Sequence, residues 1–369
     1  MTFDRRLILN FDWTLLILVL IICTVGVLNI YSAGYSLSGV KTNPFYVKQL
    51  QWILIGFFCM SVAFCIDYRL ISQYAYVLHG MAVFFLVIVF FYGYATHGSQ
   101  RWITLGSFSF QPSELVKLSL ILALAKYFDD HKLTEGYHLR ELLIPLLFLF
   151  VPFILILKQP DLGTGLILLI VSASIFLFVG IRLKSIACVL SLAVFMMPVG
   201  WYFMKEYQRE RVLTFLNPER DPLGSGYHII QSMIAIGSGG ILGKGFLKGT
   251  QTQLQFLPEQ QTDFVFSVFA EEWGFLGAAI LIVLFMSLIL WALKISIHSR
   301  DFLGTLIAFG LASLLFWEIF INIGMVLGMM PVVGIPLPFF SYGGSAIVSL
   351  LTCIGLLLNV SMRRYILQH

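Results

Sequence analysis

The chain has 369 residues, of which 59% are hydrophobic and only 11% are charged, and its formal net charge is +4. Its mean hydropathy is +0.91. This composition lies well outside that of soluble globular domains. It excludes a soluble enzyme and predicts an integral membrane protein, for which we expect no nucleic-acid partner.

Apolar runs of about 20 residues, the length that a helix needs to cross a bilayer, recur from one end of the chain to the other. Barrel strands would instead be alternating segments of about ten residues. The first run exceeds the apolar core of a signal peptide, so we interpret it as a retained span. The runs predict ten transmembrane helices, near residues 13–32, 50–66, 74–94, 113–128, 142–158, 164–181, 186–203, 264–293, 302–330 and 340–361.

The distribution of Lys and Arg predicts how these spans are oriented. Ten spans place both termini on one side, where the ends and short loops hold 12 of the 23 Lys and Arg residues, against four in the short loops opposite. Because positive charge collects in cytoplasmic loops, both termini are predicted to be cytoplasmic. Residues 1–369 are therefore predicted to form a single polytopic, all-α membrane domain.

One loop, at about 204–263, is much longer than the others and is predicted to be extracytoplasmic. Long loops in compact proteins are usually functional or disordered. Here Tyr227, Ile230 and Ile234 recur at helical spacing within residues 227–240. This spacing predicts an amphipathic helix that lies in the membrane surface.

Charged residues in or beside the spans are the strongest functional signal. A charge at the middle of a membrane helix costs at least about 2.5–3.5 kcal/mol, so such groups mark paired or water-lined sites. Glu114 and Lys117 are three residues apart and share one helix face. A functional site and an ion pair that only holds the helix explain them equally well. Arg101, in a predicted outer loop, carries a guanidinium suited to a phosphate ligand.

Two aspartates lie at predicted helix starts on the outer side. Asp161, in the stretch KQPDLGTG, is explained as well by a helix cap as by a site. Asp263 precedes the eighth span, and a cap explains it too, but the basic residues of the preceding loop favour chemistry. Glu271 and Glu272, about two turns deeper, are predicted to have structural roles.

Two further polar groups lie near the end of the chain. Glu318 and Asn322, one turn apart in the ninth span, are predicted to pack with partners supplied locally. The stretch MMPVVGIPLPFFSYGGSA contains three prolines and three glycines. Its backbone amides around Ser341 and Gly343 can meet an anion at a helix N-terminus, although a rigid turn is the commoner reason for such a composition.

Four stretches resemble the SEDS proteins (shape, elongation, division and sporulation). The form GTQTQLQFLPEQQTDF is most similar to the branch of rod-shape-determining proteins. Gln261 stands where relatives often have His, so no histidine base is assigned. The stretches are RWITLGSFSFQPSE (101–114), QPDLGTG (159–165), residues 207–274, and NIGMVLGMMPVVGIPLPFFSYGGS (322–345).

The resemblance implies a peptidoglycan glycosyltransferase that polymerises lipid II in the bacterial inner membrane, with its active site facing the periplasm. It implies a class B penicillin-binding transpeptidase as partner, within the machinery of cell-wall elongation and rod shape. In the implied inverting reaction, the 4-hydroxyl of the acceptor GlcNAc attacks the anomeric carbon of the donor MurNAc, and undecaprenyl pyrophosphate leaves. No organic cofactor is implied.

Direct displacement needs a base for the hydroxyl proton and positive charge on the departing pyrophosphate. We predict Asp263 as the base. Asp161 and Glu114 are predicted supporting carboxylates, and with Asp263 they are candidate ligands for a divalent cation, Mg²⁺ or Mn²⁺. The predicted pyrophosphate-binding residues are Arg101, Lys117, Lys244, Lys248, Ser341 and Gly343.

Two other functions are consistent with the same pattern. A lipid II flippase also needs many helices and intramembrane charges, but a carrier favours charges near the midplane and two repeated halves. Here the charges gather on the predicted outer side, and we find no repeat. The third possibility is a non-catalytic scaffold for the transpeptidase.

Overall fold

The computed structural model describes residues 11–364 except 36–44, 93, 97–98, 106–107, 134–135, most of 183–199, 203, 222–223, 255 and 258. Helices dominate this part of the chain. In chain order they are α1 (Trp13–Ala33), α2 (Phe45–Cys65), α3 (Tyr68–Gln73), α4 (Ala75–Tyr92), α5 (Pro112–Asp130), α6 (Leu143–Lys158), α7 (Leu162–Val179), α8 (Glu206–Leu216), α9 (Ser225–Gly239), α10 (Thr250–Gln253), α11 (Val265–Ile297), α12 (Phe302–Val326) and α13 (Gly344–Arg363).

Nine of the ten predicted spans correspond to a described helix, and the span predicted at 186–203 lies largely outside the described residues. Six of the described helices are long and apolar enough to cross a membrane, and α4 and α6 are shorter apolar helices. The amphipathic helix predicted at 227–240 is present as α9. The six long apolar helices are α1, α2, α7, α11, α12 and α13.

The prediction of an all-α chain is wrong between α4 and α5, where a small antiparallel sheet forms. Its strands are β1 (Tyr94–Thr96), β2 (Ser99–Leu105) and β3 (Phe108–Phe110), in the order β1-β2-β3. Ile103 pairs with Phe110, and Leu105 pairs with Phe108. The segment is too short and too polar to cross a membrane, so its backbone groups pair between strands instead. The sheet positions Arg101, which lies on β2.

The centre of the bundle is formed by α12 and α13, which are the most enclosed of the long apolar helices. Close contact between α13 and α2 depends on glycines. A Cβ at Gly56 would lie 2.4 Å from Leu351, and one at Gly355 would lie 2.5 Å from the Met60 carbonyl oxygen. In contrast, α1, α2 and α11 expose many large apolar side chains, as expected of helices that face lipid.

Helix α11 is interrupted at Gly274, whose φ of 66° and ψ of −165° are not helical. The interruption frees carbonyl groups in the preceding turn. Those of Glu271 and Glu272 accept hydrogen bonds from the backbone amides of Lys244 (3.0 Å) and Gly245 (2.9 Å). The loop before α10 thus replaces the partners that the helix has lost.

The same loop also satisfies the amides that follow the interruption. The amides of Phe275 and Leu276 donate to the carbonyls of Gly240 (2.9 Å) and Ile241 (3.1 Å). Loop 240–245 is therefore joined by backbone hydrogen bonds to both parts of α11.

Replacing Gly274 by Ala is expected to destabilise the protein. A Cβ there would lie 2.3 Å from the Gly243 nitrogen, and a non-glycine residue in this backbone region costs on the order of 1–3 kcal/mol. The measurement is the thermal unfolding midpoint in detergent. Gly80→Ala on α4 is the matched control, because a Cβ there meets no atom within 4 Å. Equal midpoints for the two variants would contradict this interpretation of the interruption.

Candidate active site

Asp263 lies two residues before α11, at the end of the long 204–263 segment. The residue that caps α11 is Phe264, and no side-chain capping bond is made there. Asp263 is partly buried, and no described residue donates a hydrogen bond to its carboxylate. The alternative that Asp263 merely caps the helix is therefore wrong. Its carboxylate remains available for a substrate.

Burial and neighbouring charges tune this carboxylate. The pKa of Asp263 is raised to about 6, mainly by burial and then by the negative charge of Glu259. The positive charges of Arg211 and Arg101 lower this pKa, and the negative charge of Asp161 raises it by a smaller amount. A carboxylate with this pKa is ionised at neutral pH yet more basic than an ordinary aspartate, as suits a general base.

Arg101 and Asp161, both predicted site residues, are brought together. The Arg101 Nε donates to the Gln159 carbonyl at 3.3 Å, and Nη2 donates to the Pro160 carbonyl. Nη1 lies 3.8 Å from Asp161 Oδ1. Asp161 caps α7 by accepting from the Thr164 amide (3.2 Å) and hydroxyl (2.9 Å). The carboxylate that caps α7 thus also faces the Arg101 guanidinium.

Lys117 lies in a buried triad that joins α5 to α12. Its Nζ is 2.8 Å from Glu114 Oε2 and 2.5 Å from Glu318 Oε1, and each side chain is at most 6% exposed. The Glu114–Lys117 ion pair required by one of the two interpretations is present. The local partner predicted for Glu318 is wrong, because its partner is on another helix. Since two carboxylates already balance Lys117, the geometry does not support its predicted contact with pyrophosphate.

The predicted anion site at Ser341 and Gly343 is occupied by protein partners. The Ser341 hydroxyl donates to the Thr262 carbonyl at 2.6 Å and accepts from the Leu337 amide at 2.8 Å. The Gly343 amide donates to Gln49 Oε1 at 3.2 Å. These donors are therefore not available to a phosphate. The alternative interpretation, a rigid turn, agrees with the contacts.

Lys244 is tied to α11 by an ion pair. Its Nζ lies 2.7 Å from Glu271 Oε1, and a quarter of its side chain is exposed. Glu271 also accepts from the amides of Gln251 (3.0 Å) and Thr252 (3.3 Å) at α10. These contacts agree with the structural role predicted for Glu271. Glu272 accepts a hydrogen bond from the Ser32 hydroxyl, which agrees with the same prediction for Glu272.

Comparison with known proteins identifies the family of this chain. The model of the cell cycle protein family FtsW/RodA/SpoVE matches residues 12–366. The chain belongs to this family. It is 39% identical to the peptidoglycan glycosyltransferase MrdB of Escherichia coli K12, over 97% of this chain and 95% of that protein.

Solved structures agree with membership of the FtsW/RodA/SpoVE family. A chain of a peptidoglycan synthase complex has a TM-score of 0.82 and 33% identity, and covers 96% of this chain and 98% of its own. The rod shape determining protein RodA of Thermus thermophilus has a TM-score of 0.71 and 29% identity, with the same coverage. The resemblance to SEDS proteins is confirmed. The fold is that of RodA, and the protein is a multi-pass membrane protein.

Two charged residues near Asp263 were missed by the sequence analysis. Arg211, on α8, and Glu259, in the turn before Asp263, both act on its pKa. Both residues lie within 207–274, the long stretch that resembles SEDS proteins, and this resemblance was the one signal that could have pointed to them. Nothing in one sequence indicates that Arg211 comes close enough to Asp263 to act on its pKa. Lys248, by contrast, was predicted as a site residue and lies exposed in the loop before α10.

The three predicted cation ligands do not converge. The described residues contain no group of three His, Cys, Asp or Glu side chains that could hold a metal ion. Glu114 is engaged in the buried triad, and Asp161 faces Arg101. The described residues therefore give no support to a site formed by Asp263, Asp161 and Glu114 alone, and the cation remains a prediction. A Mg²⁺ ion can still bind through one or two carboxylates together with substrate phosphates.

Proposed function

We propose that this FtsW/RodA/SpoVE-family chain is a peptidoglycan glycosyltransferase that polymerises lipid II for cell-wall elongation and rod shape. Family membership supports this activity, since the relative MrdB is named a peptidoglycan glycosyltransferase. The observation that carries the proposed mechanism is the carboxylate of Asp263. It has a raised pKa and no donor among the described side chains, and two arginines act on it.

In the proposed reaction, Asp263 accepts the proton of the acceptor GlcNAc 4-hydroxyl. The hydroxyl oxygen forms a bond to C1 of the donor MurNAc as the bond from C1 to the pyrophosphate oxygen breaks. The α linkage becomes β, and undecaprenyl pyrophosphate leaves with the electron pair. Arg101 and Arg211 stabilise the negative charge that develops on the leaving group. Asp161 orients Arg101 through its ion pair.

A divalent cation, Mg²⁺ or Mn²⁺, fits this site only with ligands from the substrate. Asp161 or Asp263 would supply one carboxylate, and the pyrophosphate oxygens and water would complete the shell. Such an ion would neutralise charge on the leaving group. The two arginines supply the same kind of stabilisation from the protein itself.

We propose ten transmembrane spans with both termini in the cytoplasm of a bacterium and the active site facing the periplasm. The excess of Lys and Arg on the side of the termini supports this orientation. Segment 204–263, with α8, α9 and α10, is then the extracytoplasmic loop of a single membrane domain. In this proposed topology, the charges of Arg101, Arg211 and Asp263 would lie on the side where lipid II presents its pyrophosphate and sugars.

The proposed partner is a class B penicillin-binding transpeptidase. The similar chain with the TM-score of 0.82 is part of a peptidoglycan synthase complex that coordinates polymerization and crosslinking. A glycan polymerase and a cross-linking enzyme act on the same strand, so their association couples the two reactions. No nucleic-acid partner is proposed.

The experiment that tests the function is polymerisation of lipid II by the purified protein, with and without the transpeptidase and with and without a chelator. A lipid II flipping assay in liposomes runs in parallel. Glycan strands of increasing length are the expected result. Flipping without polymer would instead support a carrier, and the absence of both in the presence of the partner would support a scaffold.

A further inference from the structure

The backbone that leads into Asp263 is held by donors from a distant part of the chain. The carbonyl of Gln261 accepts from the Tyr342 amide at 2.8 Å. The carbonyl of Thr262 accepts from the Ser341 hydroxyl at 2.6 Å. These carbonyls precede α11 and are bonded outside it. Their positions are therefore set by the loop before α13.

The next carbonyl, that of Asp263 itself, is bonded to Asn322 on α12. The Asn322 Nδ2 donates to this carbonyl at 3.0 Å and also to the Ile335 carbonyl at 2.7 Å. Asn322 is fully buried. Because both partners are acceptors, only the NH₂ group of the side chain can satisfy them, and this fixes how the amide is turned.

The hydrogen bond from Asn322 to the Ile335 carbonyl holds a segment that lies beside the Asp263 carboxylate. A Cβ at Gly334, the residue before Ile335, would lie 3.3 Å from Asp263 Oδ2. The carboxylate of Asp263 therefore lies against the backbone at Gly334. One side chain, Asn322, links the backbone that carries the carboxylate to the backbone against which the carboxylate rests.

Among the described residues, no hydrogen bond or ion pair holds the Asp263 carboxylate in place. No described donor binds it, so its reach toward a substrate is set by the position of its own backbone and by the wall at Gly334. A base displaced by about 1 Å can lose about 10²-fold in rate. The link through Asn322 controls the separation of these two parts.

We propose that Asn322 is a positioning residue for the proposed reaction, holding Asp263 at the distance from Gly334 that places its carboxylate for proton transfer. This inference rests on the proposed function of Asp263 as the base. It assigns to Asn322 an effect on turnover rather than on binding of lipid II, since Asn322 is fully buried and its NH₂ group bonds only to backbone carbonyls.

The test compares Asn322→Ala with Asn359→Ala. Asn359 is equally buried, and its Nδ2 donates to the carbonyls of Ala63 (2.7 Å) and Phe64 (3.2 Å), at the opposite end of the bundle. Purified variants are assayed for the folded fraction, for the dissociation constant of lipid II and for kcat. Asn322→Ala is expected to lower kcat per folded molecule by roughly 10- to 100-fold without changing lipid II binding. Asn359→Ala is expected to lower only the unfolding midpoint.

Gly334→Ala changes the separation between Gly334 and the Asp263 carboxylate from the Gly334 side. It is the second variant to be assayed if Asn322→Ala does not fold. It is expected to lower kcat in the same way, because the added methyl group meets the Asp263 carboxylate and because the φ of 73° at Gly334 strains any other residue there. An unchanged kcat for the folded variants, or an equal loss of kcat in Asn359→Ala, would overturn the inference. If Asp263→Asn itself polymerises lipid II normally, the proposed base is wrong; if that variant is inactive while Asn322→Ala turns over normally, only the positioning role is wrong.

Discussion

Replacing Asp263 by Asn is expected to lower the rate of lipid II polymerisation by about 10²–10⁴-fold, the usual contribution of a general base. The amide is nearly the same size as the carboxylate but cannot accept the hydroxyl proton. Since no described residue bonds to the carboxylate, its replacement breaks no observed side-chain contact. The measurement is the initial rate of glycan formation by the purified variant, together with its unfolding midpoint and its binding of lipid II.

The matched control is Asp67→Asn. Asp67 caps α3, where its side chain accepts from the Arg69 amide, and Asn is also a good capping residue. This control is expected to polymerise lipid II at the normal rate. Near-normal glycan strands from Asp263→Asn would remove Asp263 from the role of base, whatever the behaviour of the control.

Replacing Lys117 by Met is expected to destabilise the protein by about 3–5 kcal/mol, the usual cost of removing one partner from a buried ion pair. Glu114 and Glu318 would be left facing each other with no cation, and both are almost fully buried. The measurement is the unfolding midpoint in detergent. Adding Glu114→Gln and Glu318→Gln to the same variant is expected to restore most of the loss, because neutral groups replace the two unpaired charges.

Lys126→Met is the control for loss of a lysine from the same helix. Lys126 pairs with Asp130 at 2.8 Å, but the two side chains are 25% and 37% exposed, far more than those of the buried triad. Exposed pairs contribute only about 0–1 kcal/mol, so this variant is expected to unfold close to the wild-type midpoint. Equal midpoints for Lys117→Met and Lys126→Met would show that the triad does not stabilise the bundle.

The long apolar runs made most helices predictable, because a membrane span is identified by composition over about 20 residues. Helix α7, for example, was predicted at 164–181 and is observed at Leu162–Val179. The start of α2 was predicted five residues too late. Lys48, Gln49 and Gln51 interrupt the apolar run there, yet Gln49 lies inside the helix, where it binds the loop before α13.

The sheet between α4 and α5 could have been found in the sequence. The pair Gly106 and Ser107 separates two short runs rich in aromatic and β-branched residues, which is a recognised hairpin signal. Hydropathy averaged over the length of a membrane span hides this signal, because each strand is much shorter than a span. The consequence was that Arg101 was assigned to a loop, whereas a strand holds it.

The site was only partly predictable because its contacts join residues that are far apart in sequence. Asp263 and Arg101 stood out as isolated charges beside apolar runs. The bond from Asn322 to the Asp263 carbonyl spans 59 residues, and the pair of Lys117 with Glu318 spans 201. A single sequence indicates that such groups need partners, but it does not indicate which partners the packing of α5, α11 and α12 provides.

The pH dependence of kcat/KM for lipid II polymerisation by the wild-type protein tests most directly whether Asp263 is the base. Because the pKa of Asp263 is raised to about 6, the carboxylate holds its proton in mildly acidic solution and is ionised above that pH. The rate is predicted to rise with pH, pass its half-maximal value near pH 6 and then level off. A rate that stays constant across this region, in a protein that remains folded, would contradict the account.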